Sequence, residues 1–402
     1  MRSNASSATL GTASASPPDQ PMPPIAIAQV VGCMRRAGIE TWLMNVARRL
    51  DPRRFALTFC VHAEQEADYD RELLDLGCRL VRIGCSKHSF AYPAALAHCL
   101  RNAGPFEVLH SHEHQISGVI LAVARRLGIP SRIAHSHNDT SCHDRLPNLP
   151  RFTYRAVMRG LIRRHATHGL ACSELAAPSL FGTSWRRDPR FHLLPYGFDF
   201  DRFAGVRLNP TLRSELGIPP DRWVIGHVGR METQKNHGFL IEIAAHLRVL
   251  DPRCHFLFVG DGTLRTAVEL AIASHGLADC TTILSSRPDV PEILTNAVDC
   301  FLFPSLHEGL PLALIEAQAA ALPCILSSNI SPEANLFPDS NLVLPLDRSP
   351  KEWAARILQM RCQPVGVNPI QRVARLKCTP LAIEESVRRL ESLYGVPHAA
   401  VH

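Results

Sequence analysis

Two doubly wound α/β domains facing a central cleft are predicted by three observations on the chain. From Ile25 onward, apolar runs of strand length alternate with longer stretches of helical period, as in a parallel sheet joined by crossover helices. The alternation fails once, at YGFDFDRFAGVRLNP, where Gly197, Gly205 and Pro210 punctuate a loop, and then starts afresh. At 402 residues the chain also exceeds what one core usually organises, since domains run to about 100–200 residues.

The elements follow in order. The first half reads as strands IAIAQVV (25–31), FALTFCV (55–61), RLVRI (79–83), EVLH (107–110), SRIAH (131–135), HGLAC (168–172) and RFHLLP (190–195), with helical stretches such as Ile39 to Leu50 and Ile116 to Leu127 between them. The second half reads as WVIGHVG (223–229), CHFLFVG (254–260), TTIL (281–284), DCFLFP (299–304) and PCILS (323–327). These divide the chain into a first domain over 25–195, a linker over 196–221 and a second domain over 222–370. The leader, 1–24, is rich in Ser, Ala, Thr and Pro and lacks the cationic and apolar segments of a secretory signal, so it reads as disordered.

Composition narrows the class. With 46% hydrophobic and 20% charged residues the body is that of a globular protein, and no apolar run reaches the roughly 20 residues that span a bilayer. The 13 cysteines are scattered singly, several within strands (Cys254, Cys300, Cys324), which fits buried thiols in a reducing cytoplasm better than a disulfide framework. The net charge of +6 is carried almost wholly by arginine. Such a mild excess suits anionic ligands or an anionic membrane surface, and nothing in it requires nucleic acid.

In an open parallel sheet, ligands bind beyond the carboxyl ends of the strands, so the loops after the strands of the second half are where chemistry is expected. GRMETQKN supplies Gly229, Arg230 and Lys235. A guanidinium grips diphosphate oxygens in pairs and an ammonium adds a compact charge. Two solvated loop cations would read the same way, but Lys235 is one of only four lysines in the chain. After the next strand, Gly260, Asp261 and Gly262 form a tight turn with Thr263 placed to cap a helix. SSRPDVPEIL then sets the backbone at Ser286 and Arg287 where a nucleotide base can face it.

PSLHEGLPLALIEAQAAALP is the most specific segment. Pro311 suits the first turn of a helix, and Glu316 follows in the next. The unpaired backbone N–H groups of Gly309 and Leu310 make an anion site suited to a diphosphate. Glu316 can accept hydrogen bonds from both ribose hydroxyls, with Glu308 nearer the sugar; the bland reading of Glu308 is a favourable charge at a helix N-terminus. In the first half, Gly38 opens a helix whose first turn holds Glu40, and HSHND places His137 after a strand. A lone cleft histidine is more often a hydrogen-bonding wall residue than a proton-transfer group.

Glu308 and Glu316 reproduce the E-x7-E element of retaining GT-B glycosyltransferases. GHVGR, FVGDGTLR, SSRPDVPEIL and EGLPLALIEAQA resemble the exopolysaccharide and capsule enzymes of family 4, the likeness running from about Ile25 to Tyr394 and strongest over 224–328. The resemblance implies a nucleotide diphosphate sugar donor, with UDP-sugar favoured, and no cofactor or metal. It implies that Arg230 and Lys235 bind the diphosphate, Glu316 the ribose, Glu308 the sugar, and His137 a sugar hydroxyl. It also implies that the anomeric configuration is retained, that a glycan or lipid-linked acceptor receives the sugar, and that the segment 371–402, with LAIEESVRRLESLY (381–394), returns to the first domain. Three positions depart from the family pattern: Ala37 and Ala321 stand where glycine is usual, and Tyr196 where asparagine is usual.

Rival readings are a metal-dependent hydrolase using His110, His112, His135 and His137, because H-x-H pairs after strands can ligate zinc, a nucleotide-sugar epimerase of the same fold, and a binding module that has lost catalysis. One further feature bears on location. In RFTYRAVMRGLIRR, Arg151, Arg155, Arg159 and Arg163 recur every fourth residue beside Phe152, Val157, Leu161 and Ile162, a cationic stripe expected to lie on an anionic membrane surface. A cytoplasmic enzyme, peripheral on the inner face of the membrane, is the location this predicts.

Overall fold

The structure is a computed structural model that describes residues 23–137, 149–308, 310–361 and 369–395. Residues 1–22 of the leader and Gly309 lie outside the described residues.

Two parallel sheets organise the chain. The first contains β1 (Ile25–Val31), β2 (Phe55–Val61), β3 (Arg79–Arg82), β4 (Val108–Ser111), β5 (Ser131–Ser136), β6 (His168–Ala171) and β7 (Phe191–Leu193), in the order β3-β2-β1-β4-β5-β6-β7. The second contains β8 (Trp223–Val228), β9 (Cys254–Val259), β10 (Thr281–Leu284), β11 (Cys300–Phe303), β12 (Cys324–Ser327) and β13 (Leu342–Leu344), in the order β10-β9-β8-β11-β12-β13. Both are Rossmann-like, as expected. Strands covered by helices on both faces are largely apolar, which is why β11 reads as an unbroken hydrophobic run and β1 and β9 as runs with one polar residue each, Gln29 and His255. β13 went unread in the sequence: three residues at a sheet edge, only Leu344 of them buried, are too few to show a period.

Each order reverses at its centre, between β1 and β4 and between β8 and β11. Loops leaving a pair of strands at such a switch point diverge and open a crevice. The residues that matter are therefore those after β1 and β4 in one domain and after β8 and β11 in the other.

The chain passes between the sheets twice. The outward passage follows Tyr196 and the return lies between the helices Pro369–Lys377 and Ile383–Gly395. The passages pair with each other: Phe198 N–H donates to Leu381 O at 2.6 Å and Ile383 N–H to Phe198 O at 3.0 Å. Only glycine fits at 197, where a Cβ would lie 2.6 Å from Ile383 Cα. Helix Ile383–Gly395 docks on the first sheet: Trp42 Nε1–H donates to Ser386 Oγ at 3.0 Å, Arg389 Nη1 to Leu193 O at 3.3 Å, and Gln29 Nε2 to Tyr394 Oη at 3.0 Å.

The arginine stripe expected on a membrane-facing surface is partly engaged by a neighbouring helix, with Arg151 and Arg163 exposed. In helix Leu149–His165, Arg155 is 8% exposed, Arg159 donates to the carbonyls of Pro178 and Ser179, and Arg163 donates to that of Phe181. These carbonyls belong to helix Ala176–Phe181, whose C-terminal end carries partial negative charge and orphan acceptors. The cations thus cap a neighbouring helix, and Phe152, Tyr154 and Val157 stand outward.

Candidate active site

At the switch point of the second domain, the loops after β8 and β11 meet. Lys235 Nζ lies 2.6 Å from Glu308 Oε1, and Gln234 Nε2 donates to Glu308 Oε2 at 3.0 Å and to His307 O at 2.8 Å. Glu308 is buried, and both its oxygens are held by the loop that follows β8. The lysine stem runs over Gly229, where a Cβ would stand 3.2 Å from Lys235 Cε, and its ammonium sits 4.8 Å from the centre of the Phe303 ring. Desolvating such a pair offsets much of its attraction, so its consequence is orientation: an ammonium and a carboxylate fixed at the mouth of the crevice. Arg230 is exposed beside them. Across the cleft, burial pushes Glu40 up to about 7 while the Arg230 guanidinium pulls it down.

The Gly-Asp-Gly turn after β9 supports this loop. A Cβ at Gly260 would lie 2.1 Å from Gly229 O, and one at Gly262 2.5 Å from Met231 O, so only glycines allow the two loops to interlock. Met231 N–H donates to Asp261 O at 2.9 Å. Thr263 does not cap the next helix, Arg265–Ser274, whose N-cap is Leu264. Its hydroxyl donates instead to Glu232 Oε2 at 2.8 Å, in the cation loop.

Helix Leu312–Ala319 begins at Pro311 and aims its N-terminus at the crevice. Leu310 is buried in the core that the two domains share, while the candidate anion donor Gly309 lies outside the described residues. Glu316 turns toward the first domain, lining a narrow cleft with Thr41, Asn45, Asp199 and Arg202. Burial pushes its carboxyl up to about 7, against the pull of Arg202. Gly38, from the first domain, comes close to Leu312: a Cβ there would touch its side chain at 3.4 Å. Ala37, the departure from the family's glycine, has φ −139°, extended backbone that alanine adopts freely. Arg287 pairs with Asp289 at 2.7 and 2.5 Å, so its guanidinium is committed locally and only its backbone faces the loop.

His137 is not an open cleft wall. It is 7% exposed, with Nδ1 2.6 Å from Tyr196 Oη and Nε2 2.9 Å from His112 Nδ1. His112 Nε2 lies 2.8 Å from Gln29 Oε1, Tyr394 Oη 2.9 Å from His110 Nδ1, and His110 Nε2 3.2 Å from His135 Nδ1. Neutral imidazole has one donor and one acceptor, so Gln29 sets the protons of two rings. Gln29 Oε1 must receive His112 Nε2–H, His112 Nδ1 then receives His137 Nε2–H, and Tyr196 donates to His137 Nδ1. Tyr394 accepts from Gln29, and its hydroxyl can still either donate to His110 Nδ1 or accept from it, so the His110–His135 bond is compatible with both directions. Burial holds all four rings well below the usual histidine range. Ligand nitrogens of His110, His112 and His135 lie within 4.8 Å of one another, yet every ring of the cluster takes part in this proton chain. With both nitrogens engaged, the sugar-hydroxyl role expected of His137 has no free ring atom in this arrangement.

Sequence reasoning missed Gln29, Tyr394 and Arg202. Gln29 had a signal, as the one amide in the apolar run IAIAQVV. Tyr394 and Arg202 act across distances of hundreds of residues or from a linker without periodicity, and no local pattern marks them.

Two Rossmann-like domains, each with its switch point turned to a shared cleft and one bearing paired cations, define the GT-B class of glycosyltransferase. Residues 209–362 match the family described as glycosyl transferases group 1, and residues 37–197 the glycosyl transferase 4-like domain. The glycosyltransferase EpsF of Bacillus subtilis is 36% identical over 315 residues, covering 76% of this chain and 79% of the relative. The capsular polysaccharide biosynthesis glycosyltransferase CapH of Staphylococcus aureus is 26% identical, covering 84% and 90%. Among solved structures, Anabaena HepE in complex with UDP and glucose superposes with a TM-score of 0.77 at 17% identity, covering 92% of this chain and all of that one. The chain belongs to family 4 of the GT-B glycosyltransferases. That membership displaces the hydrolase reading of the histidine cluster.

Proposed function

We propose that the protein is a retaining, metal-independent transferase that moves a hexosyl or N-acetylhexosaminyl unit from a UDP-sugar to a lipid-linked acceptor in exopolysaccharide or capsule synthesis. The observation that carries this reading is the juxtaposition of Lys235, Glu308 and Arg230 with the start of helix Leu312–Ala319 at one switch point. As the donor's C1–O bond breaks, negative charge grows on the departing phosphate, and fixed cations with a helix N-terminus stabilise it without reorganising. The acceptor hydroxyl forms the new C1–O bond on the same face and gives its proton to the departing phosphate oxygen. Glu316, lining the cleft one turn into the helix, takes the ribose hydroxyls, and Glu308 the sugar.

Relatives favour the polysaccharide assignment: EpsF and CapH support it, and an Escherichia coli relative, 29% identical over 229 residues, is a UDP-Gal:alpha-D-GlcNAc-diphosphoundecaprenol galactosyltransferase. No helix among the described residues is long and apolar enough to cross a membrane. An acceptor in the bilayer therefore calls for a docking surface, and the outward Phe152, Tyr154 and Val157 of helix Leu149–His165 are suited to one. Purified protein should release UDP from one of a panel of UDP-sugars, and faster than GDP or ADP from theirs, with activity surviving EDTA and the product anomer matching the donor. Release from no nucleotide sugar with any polyprenyl-diphosphate-sugar acceptor would overturn the reading. Flotation with liposomes tests the surface: exchanging Phe152 and Val157 for Ser should abolish binding.

A further inference from the structure

We infer that Arg202, carried by the linker and belonging to neither sheet, is a nucleoside-binding residue of the donor site that selects bases presenting carbonyl oxygens. The inference rests on the reading of the cleft as a nucleotide-sugar site and adds to it a residue and a base preference.

Arg202 lies in the short helix Asp201–Ala204, just after the first passage between domains. Its Nη2 donates to Pro288 O at 2.9 Å, in the loop after β10 that is the candidate base platform. The same guanidinium lines the cleft with Glu316, the candidate ribose carboxylate. It therefore bridges the two places where the ribose and the base of one nucleoside would rest. The ion pairs of its neighbours sharpen the contrast. Arg49 has Asp199 at 2.8 Å and Arg213 has Asp299 at 2.7 Å, whereas among the described residues no carboxylate comes within ion-pairing distance of Arg202. Glu316 is near enough to be drawn down by its charge, but not to quench it.

A guanidinium carries five N–H donors and no acceptor, and the contact with Pro288 uses one. The group left facing the cleft is a flat cation that lies against a base or donates to its edge. Uracil presents O4, and guanine O6, at the position where adenine presents an amino donor. Donors alone reward the first two and not the third. The aliphatic stem of Arg202 is also part of the passage between domains, so a nucleoside held by it is held by the hinge as well as by the second domain.

Isothermal titration of the full chain with UDP, ADP and inorganic pyrophosphate, in the wild type, Arg202→Ala and Arg202→Lys, tests this. UDP affinity should fall on the order of ten- to hundredfold in Arg202→Ala, pyrophosphate affinity should stay within twofold, and the preference for UDP over ADP should collapse. Arg202→Lys, which keeps the charge and loses the fork, should keep the fold yet leave the base preference lost. Unchanged UDP affinity in Arg202→Ala overturns the assignment, as does an equal loss for pyrophosphate, which would put the residue on the diphosphate. A wild type that binds none of UDP, ADP and pyrophosphate fails at the donor site itself, and the inference falls with it.

Discussion

Acidification should unfold this protein through its buried histidines, and the magnitude follows from the proton chain. His110, His112, His135 and His137 are neutral in the fold because burial lowers their affinity for protons, His112 to about 3. The unfolded chain binds protons near pH 6.5. Their folded values lie below the unfolded one, so the stability they carry is complete above pH 6.5 and is lost progressively as the pH falls toward 3. At pH 5 His112 costs about 2 kcal/mol, and His110, His135 and His137 act in the same direction. His237, lowered to about 4, adds about 2, and His227 and His255 again pull the same way. Glu40 and Glu316, each raised to about 7, act oppositely: they gain protons in the fold as the pH falls and return about 5 between them. The two carboxyls thus offset roughly what His112 and His237 cost, and the remaining buried histidines set the net loss, against a typical stability of about 5–15 kcal/mol. Calorimetry between pH 8 and 5 should therefore find a melting temperature falling steeply below pH 6.5. Long-range proton–nitrogen spectra of histidine-labelled protein should find the four rings neutral down to pH 5, with the proton of His112 and His137 on Nε2. A melting temperature at pH 5 within a few degrees of that at pH 8, or any of the four protonating above pH 6 in the folded protein, would refute the reasoning.

Three other outcomes are expected. Arg230→Ala and Lys235→Ala should each lower turnover on the order of a hundredfold, as for loss of a group that stabilises developing charge, with the melting temperature of Arg230→Ala unchanged; normal donor turnover in both would remove the diphosphate assignment. Ala321→Gly should stabilise the fold by about 1 kcal/mol, measured by denaturant titration, because Ala321 sits at φ 62° after helix Leu312–Ala319, where an L side chain costs ~1–2 kcal/mol and glycine far less. UDP-sugar affinity should rise between pH 6 and 8 as Glu316 ionises through about 7 and becomes a pure acceptor for ribose hydroxyls, and Glu316→Gln should flatten that slope.

What was legible in the chain is what repeats or what is local. Twelve strands could be read because burial on both faces demands continuous apolar runs, and Lys235, Glu308 and Glu316 because the loops beyond strand ends are the places an open sheet offers for chemistry. The arginine stripe had the right period: a spacing of four puts Arg155, Arg159 and Arg163 on one face, but only the position of helix Ala176–Phe181 decides that Arg155 is buried and that Arg159 and Arg163 reach its carbonyls. The engagement of the His137 ring was illegible for a similar reason. Alternation along a strand puts His110 and His112 on one side, and nothing local says that two tyrosines and an amide from remote segments will take up their nitrogens.

If Arg202 serves the proposed donor site, that site and the passages between domains share a residue, and this constrains how the enzyme can move. The two passages between domains are hydrogen-bonded to each other at Phe198, Leu381 and Ile383, and Gly197 lets them touch, so they bend as one strap. Both ends of that strap are tied to the first domain: Asp199 to Arg49 at 2.8 Å on one side, and helix Ile383–Gly395 to Trp42, Gln29 and Leu193 on the other. Lys377 also pairs with Asp201, joining the return helix to the outward passage. A rigid-body rotation of the second domain therefore pivots beyond these ties, at the residues that lead from Asp201 to β8 and from Pro369 to Lys377. Arg202 stands at that boundary with its guanidinium on the Pro288 carbonyl of the second domain. Helix Asp201–Ala204 also packs against helices Val290–Ala297 and Pro369–Lys377, so Arg202 travels with the Pro288 carbonyl when the cleft opens. On the proposed reading, a nucleoside seated there couples occupancy to closure through the first-domain groups that line the same cleft, Thr41 and Asn45, whose contacts exist only in the closed state.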